Sequence, residues 1–231
     1  MTFIQQIQKL ITDGDLMLLF LKGLGVTVMI SFFAAVIGLI IGTAVAIVMI
    51  SDKNRLTIIP KILCKIYVTV IRGTPMMLQL FIMVFVVFTI RGFPAELIAI
   101  IAFGINSGAY VAENIRAGIL SVDGGQTEAS RALGISGRVT MFKIVIPQAI
   151  KNVIPSIGNE LIALIKETSI VGSVGGIGDL TRAAEIAGSS IHLSSYFVPM
   201  TVAALFYLGI VYLLTFVIKL IEKRLRASDK R

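Results

Sequence analysis

The sequence predicts an all-α membrane protein of five transmembrane helices, with its N-terminus outside and its C-terminus in the cytoplasm. Three observations carry that expectation. Of the 231 residues 56% are hydrophobic and 15% are charged, with a mean hydropathy of +0.94. Ordinary globular chains are about a quarter charged, so most of this surface must be solvated by lipid. The apolar residues fall into runs of roughly 20, the length that crosses a bilayer. Finally, the 21 Lys and Arg residues gather between those runs, where charge orients a membrane protein.

No charged residue lies between Lys22 and Asp52, which defines the first span, with a core from Val26 to Ile50. A signal peptide would have a far shorter apolar region. Residues 1–22 place Phe3, Ile4, Ile7, Leu10 and Ile11 on one helical face and are expected to form an external amphipathic segment on the membrane surface. The second span runs from about Ile66 to Ile90, with Arg72 and Pro75 near its start. The third runs from Ala95 to about Ala117, and the fifth from Val198 to Ile218. The fourth, between Lys151 and Lys166, is split by Glu160 and escapes a hydropathy window. Charge requires it nonetheless. With five spans, every Lys and Arg except Lys9, Lys22, Arg91, Lys166 and Arg182 falls inside. With four, the basic tail and the loop around Arg131 lie on opposite sides. The membrane domain is thus expected over 23–219, followed by a basic cytoplasmic tail, 220–231.

The net charge of +8 does not signal nucleic-acid binding, because no basic patch is interleaved with aromatic residues. Cys64 stands alone, which removes disulfide frameworks and thiol metal sites, and the single histidine, His192, has no partner for zinc or a catalytic triad. Neither H-E-x-x-H nor G-x-S-x-G occurs, so no enzyme is expected. No Gly-Lys dipeptide occurs either, so a phosphate-binding loop is impossible and any ATP must be bound by another chain. Gly172, Gly175, Gly176 and Gly178 are expected to form a flexible external turn. A gradient-driven transporter would show inverted repeats, and none is visible.

The most specific signal lies between spans three and four. It reads Gly125-Gln126-Thr127-Glu128-Ala129-Ser130-Arg131-Ala132-Leu133-Gly134, then Ile135-Ser136-Gly137, and ends Ile144-Val145-Ile146-Pro147. Gly124 and Gly125 are expected to break the preceding helix. Thr127 to Leu133 should form a short amphipathic helix that Gly134 closes in the left-handed region. Ser136 should cap the next helix, and Pro147 should interrupt the chain as it re-enters the membrane. Two short helices meeting at a glycine make a compact cytoplasmic knob.

This loop resembles the EAA signature of ABC-importer permeases: Glu-Ala-Ala, three residues, Gly, nine residues, Ile, one residue, Leu-Pro. Here it stands as Glu128-Ala129-Ser130, Gly134, Ile144 and Ile146-Pro147, departing only at Ser130 and Ile146. Arg72-Gly73-Thr74-Pro75, Pro147-Gln148-Ala149, Lys166-Glu167-Thr168-Ser169 and Asp179-Leu180-Thr181-Arg182 further resemble the polar amino-acid branch of that family. The resemblance implies a type I ABC importer permease, multi-pass in a prokaryotic cytoplasmic membrane. It also implies a second permease, identical or homologous, and an external amino-acid-binding protein. A cytoplasmic ATPase dimer carrying the ATP and Mg²⁺ would grip Glu128, Ala129, Ser130, Gly134, Ile144 and Pro147.

Two spans carry polar residues in register. Asn152, Ser156, Asn159, Glu160, Lys166 and Glu167 fall within about 120° of arc on span four, and Asn106, Ser107, Tyr110, Glu113 and Asn114 do likewise on span three. A polar solute crossing between such stripes needs an acceptor for its ammonium group. Glu160 is the candidate, with Asn159 and Ser156 orienting the solute. The same residues would equally serve as inter-helix hydrogen bonds. Glu113 and Arg116, three apart, are expected to form a structural ion pair. Gly38 and Gly42 have the spacing of a close helix crossing.

Overall fold

The computed structural model describes residues 3–52, 54–89, 92–189 and 196–226, and all of its regular elements are helical. Helix α1 (Phe3–Thr12) and the long α2 (Gly14–Ile50) come first. They are followed by α3 (Ile58–Arg72) and α4 (Met76–Ile82), the latter widening into a π turn at Met83–Val87. Helix α5 is Ala95–Leu120. The loop helices α6 (Gly124–Ala132) and α7 (Gly137–Thr140) lead through a second π turn (Met141–Val145) into α8 (Ile146–Glu167). A 3₁₀ turn (Thr168–Val174), α9 (Leu180–Ser189) and α10 (Phe197–Arg226) complete the chain. His192 lies outside the described residues.

Helices α2, α5 and α10 are each long and apolar enough to cross a membrane. The second span is not one straight helix. Helices α3 and α4 pass the same criterion only as a pair, bent by 109° at Gly73-Thr74-Pro75. The cause is local: Pro75 lacks an N–H, and α3 ends with the Gly73 N–H on the Thr69 carbonyl at 3.0 Å. The expected fourth span is a continuous 22-residue helix, α8, about 33 Å long. Its Asn, Lys and Glu residues keep it out of the apolar class. The first span begins earlier than the charge gap suggests, because Lys22 sits inside α2 and the helix starts at Gly14.

The chain divides into two compact units. The first comprises Met1–Val36, Pro75–Gly104 and Leu161–Leu213. Its core joins Leu10, Phe20, Leu180, Ala184, Ala187, Val198 and Ala203, with Phe20 stacked on Phe206 at 6.1 Å. The amphipathic first segment is therefore only partly a surface element, since Leu10 is buried while Ile4 is exposed. An apolar groove of about 650 Å³ lies among α1, α2 and α10. Its lining holds one hydroxyl, Thr201, and offers nothing to hold a polar solute.

The second unit comprises Ile37–Thr74, Ile105–Glu160 and Leu214–Arg231. It packs Val68, Ala109 and Ala112 against Val45, Met49, Tyr67 and Ile71. The expected glycine crossing is present. A Cβ on Gly38 would stand 2.7 Å from the Ser107 hydroxyl, and one on Gly42 would stand 2.6 Å from Val111 Cβ. Only glycines let α2 and α5 approach that closely. The Tyr67 hydroxyl donates to the Ile105 carbonyl at 2.5 Å and joins α3 to α5 in the same unit.

Candidate functional site

The loop between α5 and α8 forms as its sequence demands. Asp123 caps α6, its Oδ1 accepting from the Gly125 N–H at 2.8 Å. Gly124 and Gly125 thus belong to the first turn of α6 and do not form the break, which lies at 121–123. At the other end Gly134 has φ +75°. Its N–H bonds the Arg131 carbonyl at 2.9 Å, and the Ile135 N–H bonds the Ser130 carbonyl at 3.0 Å. Those two bonds define a Schellman cap, in which a residue other than glycine is strained. Ser136 occupies the cap of α7 but its hydroxyl makes no cap bond; its carbonyl accepts from the Thr140 N–H and hydroxyl instead. Pro147 lies one residue inside α8, so the irregularity ahead of it is the π turn.

Of the expected coupling residues, Glu128, Ala129, Gly134 and Pro147 are exposed and Ile144 is half-buried. Ser130 is 3% exposed, and its hydroxyl is spent on the Gln126 carbonyl at 2.7 Å. It fills the inside of the knob and leaves the surface to its neighbours. Sequence reasoning passed over the apolar part of that surface: Leu133 is 79% exposed and Phe142 63% exposed, with Val139 also open. The loop thus exposes large apolar side chains among polar ones. The knob is held from below. Asn152 donates to the Ser121 hydroxyl at 2.9 Å, Gln148 to the Ile144 carbonyl at 3.0 Å, and Gly118 lies against Val153.

On α8, Ser156, Asn159 and Glu160 lie within little more than one turn. Asn159 is exposed, and Ser156 and Glu160 are half-buried. The Ser156 hydroxyl donates to its own helix at the Asn152 carbonyl, 3.2 Å away, and so faces a solute only as an acceptor. The stripe on α5 splits in two. Asn106 and Ser107 are buried, and the Ser107 hydroxyl is packed against Gly38 with no hydrogen-bond partner. Lower on the helix, Glu113 and Arg116 make the expected ion pair, with Nε to Oε2 at 3.0 Å and Nη2 to Oε1 at 2.5 Å. Arg72 stacks over the Tyr110 ring, its guanidinium carbon 5.3 Å from the centroid.

The whole chain, this loop included, is similar to known transporter subunits. A family model described as the binding-protein-dependent transport system inner membrane component matches residues 54–227. The chain belongs to that family. It is 42% identical over 211 residues to the arginine transport system permease protein ArtQ of Bacillus subtilis, covering 90% of this chain and 93% of that protein. It is 36% identical over 208 residues to the L-cystine transport system permease protein TcyB of the same organism, covering 88% and 85%. Among solved structures it superposes on a chain of an amino acid ABC transporter crystallised with histidines at a TM-score of 0.84. The two share 37% identity, covering 97% of this chain and 99% of that one. The methionine transporter MetNI, at 21% identity and TM-score 0.77, shares the fold. As a family member this chain is the membrane subunit of an ABC transporter.

The expected glycine turn between α8 and α10 is present, and the segment that follows it is tied down. Asp179 is wholly buried and caps α9, accepting from the Thr181 N–H at 3.0 Å and the Arg182 N–H at 3.2 Å. Burial pushes its carboxyl above the usual range, against the pull of those bonds. The Leu180 N–H reaches the Thr27 hydroxyl on α2 at 3.2 Å, and Thr181 pairs with the Tyr207 hydroxyl on α10 at 3.1 Å. A Cβ on Gly23 would stand 2.8 Å from the Asp179 carbonyl oxygen. The glycines supply conformation: Gly175 and Gly176 have φ of +77° and +80°.

Proposed function

We propose that this chain is the permease subunit of an ATP-driven importer of polar amino acids in a prokaryotic cytoplasmic membrane. One observation carries the reading. The knob from Asp123 to Val145 is closed by Gly134 in the left-handed region and exposes Leu133 and Phe142 among polar residues, which suits a soluble protein partner. Full-length likeness to the arginine and cystine permeases supports amino acids as the solute class. The ATPase, with its ATP and Mg²⁺, docks on the knob; a second permease completes the path, and an external binding protein delivers the solute. Five spans with the N-terminus outside place the knob in the cytoplasm. Reporter fusions after Arg55, after Gly137 and at the C-terminus then report cytoplasm, and fusions after Gly92 and near Ser189 report the exterior.

Within the path, Glu160 accepts the ammonium group or a cationic side chain, flanked by Asn159 and Ser156. The deciding experiment is uptake into proteoliposomes holding the permease, its ATPase and the binding protein, screened across amino acids. Glu160→Gln keeps the shape and removes the charge. Losing a partly desolvated ion pair costs about 2–4 kcal/mol, roughly thirtyfold or more in apparent affinity. The loss is greater for arginine, lysine and histidine than for glutamine. Equal, modest losses for all four assign Glu160 to helix packing instead.

A further inference from the structure

We propose that Arg72, stacked on Tyr110, is the subsite that receives the carboxylate of the transported amino acid. The inference rests on the amino-acid reading above and adds a residue to it. Arg72 is the last residue of α3, at the break before Pro75. Counted from Ile58, where α3 leaves the cytoplasmic loop, it lies about 21 Å along the helix. Taken as the first arm of the bent second span, α3 carries Arg72 into a hydrocarbon core about 30 Å thick. An exposed guanidinium there persists only where water and an anion reach it.

The protein supplies no such anion. Glu113 is the nearby carboxylate, close enough for its charge to be felt with that of Arg72, yet both of its oxygens are taken by Arg116. Among the described residues no carboxylate lies within ion-pairing distance of Arg72, and its N–H groups donate no hydrogen bond. Arg72, Glu113 and Arg116 therefore sum to one uncompensated positive charge. Meanwhile the guanidinium carbon lies over the Tyr110 ring, and the planar fork of N–H donors is not spent on a protein acceptor. A fork so held matches a carboxylate with two parallel hydrogen bonds. Helix α5 contributes Tyr110 and α3 contributes Arg72, both within the second unit, which also includes Glu160.

A lysine separates this role from the two alternatives open to an arginine at a helix end. Complementing the helix dipole, or anchoring a lipid phosphate, needs only a positive charge, and lysine supplies it. Two-point recognition of a carboxylate by a stacked fork needs arginine. The test uses the detergent-purified permease–ATPase complex without binding protein, and measures binding of arginine and glutamine against their carboxyl-amidated forms by calorimetry. The wild type favours the free acids about tenfold or more. Arg72→Lys removes most of that preference while binding of the amides is unchanged, and Tyr110→Leu weakens the preference in the same direction. Retention of the wild-type preference in Arg72→Lys, or no preference in the wild type, overturns the assignment. Uptake by wild-type proteoliposomes with the binding protein reports separately on the amino-acid reading. If amino acids are taken up while Arg72→Lys keeps the acid preference, only the subsite is lost.

Discussion

The two connectors that flank α8 are built from the same parts and end up opposite in character. Each contains an aspartate that caps a short helix: Asp123 for α6 and Asp179 for α9. Each also relies on glycine in the left-handed region, at Gly134 in one and at Gly175 and Gly176 in the other. In the first connector Asp123 is exposed, and the largest side chain, Phe142, is turned outward with Leu133. In the second, Asp179 and Leu180 have no exposed surface, and Thr27 on α2 and Tyr207 on α10 hold the segment in place. The same local chemistry thus yields an exposed apolar surface in one connector and a plug fixed within its own unit in the other. The difference lies in what the rest of the chain brings against it.

The sharpest way to break that contrast puts one substitution at equivalent leucines. Leu180→Asp buries a charge in the core with Phe20 and Ala184. It is expected to abolish a folded, monodisperse permease, because an unpaired buried charge costs more than a typical domain's margin of stability. Leu133→Asp, on a side chain 79% exposed, leaves thermal stability within about 0.5 kcal/mol of wild type. It weakens co-purification of the ATPase instead. Fluorescence-detected gel filtration and pull-down separate the two outcomes. A stable Leu180→Asp protein, or an unstable Leu133→Asp one, would show that the connectors are not different in kind.

Next in size is Gly134→Pro. Proline fixes φ near −65°, whereas position 134 requires +75° and uses its N–H in the Schellman cap. The knob is distorted by about 3 kcal/mol of local strain, and because its packing is local the membrane helices still insert. Transport and ATPase binding are lost together. Glu128→Lys, which reverses an exposed charge on the same surface, has the same direction and a smaller effect. Normal co-purification with intact transport in both variants would remove this loop from the coupling role.

How far each connector was legible follows from the same contrast. The first was readable because everything it needs is local: Glu128-Ala129-Ser130, six positions to Gly134, then Ile144 and Pro147. The helix boundaries moved, with α6 starting three residues before the expected Thr127, the Ser136 hydroxyl makes no cap bond, and Ser130 turns inward. In the second, the glycine turn is legible but the order that follows it comes from afar. The bond from Leu180 to Thr27 joins residues 153 apart, and no window of sequence contains both. The spans divide likewise. Helices α2, α5 and α10 announce themselves by apolar length. Helix α8 is expected as a span only from charge asymmetry, and Pro75 near the start of the second span gives no measure of the 109° bend found there. The polar stripe on α5 had the right period, but Gly38 opposite Ser107 closes its upper part. Whether a polar residue faces a path or a neighbouring helix depends on what lies across from it.

The smallest expected effects concern the two caps themselves. Asp123→Ala removes one exposed cap and costs about 1 kcal/mol of stability. Asp179→Ala strips partners from two less accessible N–H groups and costs about 1–3 kcal/mol. The more telling change is Asp179→Asn, which retains a carbonyl acceptor and deletes the charge. Burial raises the carboxyl pKa of Asp179 most strongly, with the negative charge of Glu185 adding to it, while the hydrogen bonds from Thr181 and Arg182 oppose the rise. A carboxyl raised in this way holds its proton more tightly in the folded protein than in the unfolded one. The stabilisation that results is complete below the ordinary carboxylate range and is lost as pH rises through the elevated folded value. Wild-type melting temperature in detergent therefore falls as pH rises through that window, on top of whatever other carboxylates contribute. Asp179→Asn flattens this component of the slope. Thermal melts of wild type and Asp179→Asn from pH 4 to pH 7 make the comparison. If the substitution leaves the slope unchanged, the burial that distinguishes the second connector has no electrostatic consequence, and the two caps are the same device after all.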